Sequence, residues 1–69
     1  MNFPEQLISL RRLKNLTQED VARQAGIPTR SYQRYEHGEQ EPTLSKLVIL
    51  ADVFGVSLDE LVGRNPESK

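Results

Sequence analysis

The sequence predicts an all-α fold, a compact five-helix bundle, on three observations. Apolar residues recur at three- and four-residue spacing along nearly the whole of the 69-residue chain. No segment alternates apolar and polar residues beside a hairpin turn, as a half-buried strand would. Cap-forming residues alternate with glycines, which cuts the chain into short helices. A chain of this length makes one small domain with a limited core, assigned to residues 1–63, with the polar residues 64–69 as a flexible tail.

The first helix is expected to begin near Pro4, a good first-turn residue. Leu7, Leu10 and Leu13 supply its apolar spacing, and Asn15 ends it because asparagine tolerates the left-handed conformation. The second opens at TQED, with Thr17 as N-cap and Asp20 completing a capping box. Val21, Ala22 and Ala25 form its inner stripe, and Gly26 stops it. The third starts at Pro28 and closes at His37-Gly38. In the fourth, Thr43 is the N-cap; Leu44, Leu47, Val48, Ala51 and Phe54 make the apolar stripe, and Gly55 is the stop. The fifth is short: SLDE gives Ser57 as N-cap answered by Glu60, then Leu61 and Val62 before Gly63.

Charge is unevenly distributed. The formal net charge is −1, which argues mildly against a nucleic-acid partner, but distribution matters more than the total. Arg11, Arg12 and Lys14 against Glu5 make residues 1–16 net +2, whereas residues 39–69 carry six acids against Lys46, Arg64 and Lys69 and are net −3. There is no cysteine, hence no disulfide framework and no thiolate metal site, and His37 is the only histidine. No signal peptide or membrane span is visible, and a cytoplasmic home is expected. No catalytic constellation is visible either, so no enzyme activity, cofactor, metal or small-molecule site is expected.

The third helix has two distinct faces. At about 100° per residue from Thr29, Tyr32 and Tyr35 fall near 300° and 240°, the apolar side. Gln33, Arg30 and Arg34 fall at about 40°, 100° and 140°, so with Thr29 they occupy the outer half. That face lacks a carboxylate. Arginine forks onto guanine, and glutamine and threonine meet other base edges or phosphates; a merely solvated face is the alternative. A short helix, a glycine-containing turn and a second helix with such a face make a helix-turn-helix arrangement.

LTQEDVARQAGI, SYQRYEHG and PTLSKLVILADVFGVSLDELV together resemble the phage repressor and Cro-type helix-turn-helix family of bacterial and phage transcriptional regulators, over about residues 5–62. The resemblance implies a five-helix, lambda repressor-like DNA-binding domain whose third helix lies in the major groove of double-stranded DNA. By position it makes Thr29, Arg30, Gln33 and Arg34 the base-reading residues. Gln18 matches a phosphate-gripping residue at a helix start, where free N–H groups favour an anion, and Thr17 shares that turn. His37, Thr43 and Lys46 are further phosphate candidates, Thr43 more surely a cap. The family pattern also implies an ion pair between Arg11 and Glu36.

Two departures stand out. The loop GEQEP places Glu39 and Glu41 where relatives often carry basic residues, which predicts modest non-specific affinity. Asn15 replaces a common glycine. Val53, Val56, Leu58, Leu61 and Val62 exceed what a minimal core needs; some of them can pack in the core, and Val56, Leu58, Leu61 and Val62 are a candidate patch for a homodimer, formed in solution or on DNA alone. Such a dimer would set two reading helices about 34 Å apart. The expected function is a sequence-specific regulator, a repressor on a pseudo-palindromic operator. Its rivals are a helical protein-interaction module with the same fold, favoured by the acidic loop, and a DNA-binding piece of a longer regulator.

Overall fold

The computed structural model describes residues 2–63; the tail expected at 64–69 lies outside them. The described residues form five α-helices and no strand: α1 Phe3–Leu13, α2 Gln18–Ala25, α3 Thr29–His37, α4 Leu44–Phe54 and α5 Leu58–Leu61.

Four of the five helices of the described residues begin where a side chain answers a free N–H group. Thr17–Asp20 and Ser57–Glu60 are reciprocal capping boxes, and Thr43 accepts from the Lys46 N–H. The first helix has Pro4 in its first turn, as expected; it starts at Phe3, and Asn2 and Glu5 form a third reciprocal box around the proline. A cap of this kind contributes about 1 kcal/mol, a meaningful share for a domain whose core supplies only about 3–5 kcal/mol. Pro28 is the N-cap of α3 rather than its first residue, and offers no side-chain bond.

The exits are equally regular. After α2, the Ile27 N–H reaches the Ala22 carbonyl at 3.0 Å and the Gly26 N–H reaches that of Arg23 at 3.2 Å. This pair of bonds needs a left-handed residue between helix and turn; Gly26 supplies it at φ 70°. Asn15 does the same after α1 at φ 57°, the one non-glycine residue with positive φ among the described residues.

The core gathers one face from every helix: Leu7 and Leu10 of α1, Val21, Ala22 and Ala25 of α2, Tyr32 and Tyr35 of α3, Leu50, Ala51 and Phe54 of α4, and Leu61 of α5, with Ile27 from the turn. The small Ala22 and Ala25 let α2 pack closely against both α3 and α4. The stripe of α4 is the expected one at Leu47, Ala51 and Phe54, but Leu50 joins it while Leu44 and Val48 are exposed. The helix is apolar on most of its circumference, so spacing alone offers two stripes. Packing against α2 and α5 selects between them. Leu13 is likewise exposed, at the very end of α1.

Candidate nucleic-acid interface

The turn at Gly26–Pro28 brings α2 and α3 against each other and leaves one side of α3 open. Tyr32 and Tyr35 point inward and are buried, their rings meeting edge to face at a centroid distance of 6.5 Å. Arg30, Arg34 and His37 are exposed, and Thr29 and Gln33 are half-buried beside them. The remaining acid of α3, Glu36, is 4% exposed. The solvent side of α3 therefore presents donors and hydroxyls with no carboxylate among them.

Glu36 is buried because three hydrogen bonds from two residues answer it. Arg11 of α1 grips it at two points, Nε to Oε2 at 2.6 Å and Nη2 to Oε1 at 3.2 Å. The third nitrogen of Arg11, Nη1, donates to the Leu16 carbonyl at 3.0 Å, fixing the loop before α2. Gln18 adds a bond from Nε2 to Glu36 Oε1 at 2.9 Å. Burial alone would raise the carboxyl pKa, but the bonds from its neighbours, Arg11 foremost, outweigh it and hold Glu36 below its ordinary value. The Tyr32 hydroxyl faces the same pair. It is buried without a well-formed hydrogen bond, and desolvation, then the neighbouring carboxylate, push its pKa up.

The expected phosphate contacts other than His37, which ends α3, fall in two places. Thr17 and Gln18 stand at the start of α2, where Thr17 Oγ1 accepts the Asp20 N–H and Asp20 returns the bond. Asp20 is held below its ordinary pKa, first by the Thr17 backbone N–H and then by its hydroxyl. Thr43 and Lys46 stand at the start of α4, on the far side of the exposed residues Glu39, Gln40 and Glu41. Gln18 is more engaged than a free phosphate ligand: besides Glu36 it meets Gln33, whose Nε2 donates to Gln18 Oε1 at 3.2 Å. Spacing gave one hint of this. Glu36 follows Gln33 by three residues and falls at about 340° on the helical circle, between the outer and inner faces.

The apolar patch is smaller than expected. Leu61 is fully buried and belongs to the core, so its side chain is not available to a second copy. Val53 and Val56 pack partly against the core as well. Leu58 and Val62 are exposed, as are Leu44 and Val48. An open groove lined by Phe3, Glu41, Pro42, Leu47 and Val62 runs beside them. Among the described residues no group of His, Asp and Glu could hold a metal ion, and no helix is long and apolar enough to cross a membrane.

Two short helices joined by a left-handed glycine turn, the second with an open polar face and its inner end locked to a scaffold helix, define a helix-turn-helix domain. Comparison with known proteins agrees: the helix-turn-helix family model matches residues 7–61, and the chain belongs to that family. It is 44% identical over 64 residues to the cryptic phage CTXphi transcriptional repressor RstR of Vibrio cholerae, covering 93% of this chain and 57% of that protein. It is 37% identical over 65 residues to the HTH-type transcriptional regulator AnsR of Bacillus subtilis, covering 94% and 56% respectively. The chain thus spans little more than half the length of either. The crystal structure of the restriction-modification controller protein C.AhdI from Aeromonas hydrophila superposes with a TM-score of 0.83 at 29% identity, over 86% of this chain and 89% of that one.

Proposed function

We propose that this chain binds DNA sequence-specifically and regulates transcription, acting as a repressor that occupies a pseudo-palindromic operator as a dimer. The observation that carries the reading is the outer face of α3, where Arg30 and Arg34 are exposed beside Thr29 and Gln33 and the one acid of the helix is buried. Arginine forks and a glutamine amide suit the edges of bases in the major groove. Thr17 and Gln18 at the start of α2, and Thr43 and Lys46 at the start of α4, flank that face as backbone contacts, and His37 extends it. The regulatory role is supported by the names of the relatives, a transcriptional repressor and a transcriptional regulator, and so is a binding rather than catalytic role. A cytoplasmic location follows from the same reading.

Dimerisation is assigned to the exposed Leu58 and Val62, with Val56 at their edge. Self-association through a two-fold axis presents the same patch twice, and half-sites are then spaced by one helical turn, about 10 bp. Selection of bound sites from a random duplex pool at moderate salt tests the whole reading. An enriched inverted repeat with that spacing is the expected result. Enrichment of single half-sites would remove the dimer, and no enrichment by folded protein would remove sequence-specific binding.

A further inference from the structure

Helix α5 begins with the exposed Leu58 and is followed by the exposed Val62, yet its four residues are too few to hold a helix unaided. The Ser57–Glu60 capping box fixes its start, and Leu61 anchors it in the core. One buried side chain still leaves so short a helix free to swivel about that anchor. Its exit is tied separately. Gln6 of α1 donates from Nε2 to the Glu60 carbonyl at 2.7 Å, and the Gly63 N–H reaches the same oxygen at 3.2 Å. A carbonyl oxygen has two lone pairs and accepts both. This one lies in the last turn, where a helix offers its carbonyls no partner of their own. Further along α1, Arg11 holds Glu36 of α3. Helix α1 is therefore a strut, bonded near its start to α5 and near its end to α3.

We propose that Gln6 is a positioning residue: by holding the exit of α5 on α1, it sets the orientation of the Leu58 and Val62 patch relative to α3. In a two-fold dimer that orientation decides the separation and rotation of the two reading helices. Gln6 acts in this through the Glu60 carbonyl, without a base or phosphate contact of its own. Half-sites turn around the duplex by about 35° for each base pair between them. A dimer with a rigid link between patch and reading helix therefore discriminates against a spacing changed by one base pair, whereas a loosely linked one tolerates it. The inference rests on the reading of Leu58 and Val62 as the dimer patch. It assigns to Gln6 a part in selecting operator spacing, separate from the reading of each half-site.

Two variants remove the donor at nearly constant shape, Gln6→Met and Gln6→Glu. Gln6 is half-buried and outside the core, so both are expected to fold. Affinity is measured for a duplex with a single half-site and for inverted repeats at the selected spacing and at one base pair more or fewer. The wild type is expected to favour the selected spacing by about tenfold. Both variants are expected to favour it by less than about threefold, while binding the single half-site as the wild type does. A spacing preference kept in the variants overturns the proposal. An equal loss on the single half-site and the inverted repeats would make Gln6 a support of the fold alone, and overturns it too. A wild type indifferent to spacing overturns the dimer reading and the proposal with it, so the wild type by itself tells the two failures apart.

Discussion

Arg11 and Glu36 form a two-point ion pair between α1 and α3, with side-chain exposures of 16% and 2%. Removing one partner leaves the other as a buried, unanswered charge. Arg11→Met is therefore expected to cost about 3–5 kcal/mol, most of what a domain this small has to lose. Replacing both, Arg11→Met with Glu36→Met, is expected to cost less than Arg11→Met alone. Urea unfolding of the wild type, Arg11→Met, Glu36→Met and the double variant checks this; a double variant as unstable as the sum of the single ones would mean that the residues act independently.

The same pair predicts an acid limb. Glu36 sits below its ordinary pKa of 4.5 in the folded chain. A carboxyl whose pKa is lowered by folding contributes stability that is complete above the unfolded value and is lost as pH falls through the folded one. The stability gap between wild type and Glu36→Gln should thus be constant from neutral pH down to about 5 and shrink below it. Thermal melts across pH 7 to 3 would refute the assignment if the gap stayed level throughout.

Tyr32 is fully buried, and its hydroxyl is the buried side-chain polar atom without a hydrogen-bond partner among the described residues. An unanswered buried hydroxyl costs free energy that its removal recovers. Tyr32→Phe is expected to leave stability unchanged or raise it by about 1 kcal/mol. A clear loss would show that the hydroxyl supports Glu36 after all.

Glu39 and Glu41 are exposed between α3 and α4, beside the face proposed to meet DNA, and like charges across that gap repel. Replacing both with lysine is expected to raise affinity for random duplex. Each new phosphate contact also steepens the salt dependence of binding by about 0.9 in log–log slope. Affinity measured at three or more salt concentrations gives the slope; an unchanged one would place the loop away from the backbone.

What the sequence made legible was local. Thr17, Thr43 and Ser57 were readable as caps because the chemistry of a helix start lies within four residues, and the stops at Gly26 and Gly55 and the left-handed Asn15 are readable for the same reason. The box of Asn2 and Glu5 is equally local, and the proline inside it marks the same helix start. Decisions made by distant parts of the chain were not legible. Which stripe of α4 is buried depends on α2 and α5, and whether Leu61 belongs to the core or to the surface depends on the helices it packs beneath. The pairing of Arg11 with Glu36 spans 25 residues and came from family resemblance, not from spacing. The bond between Gln18 and Gln33 needs both helices in place before it has a meaning.

The central claim is that the outer face of α3 reads bases. Its most direct test takes the selected site and a scrambled duplex of equal length, and measures the affinity of wild type, Arg30→Ala and Arg34→Ala for both. Both variants should keep the wild-type fold, since both side chains are exposed. Each is expected to lose about 1–3 kcal/mol on the selected site and much less on the scrambled one. Equal losses on the two duplexes would make these arginines phosphate contacts and contradict the account.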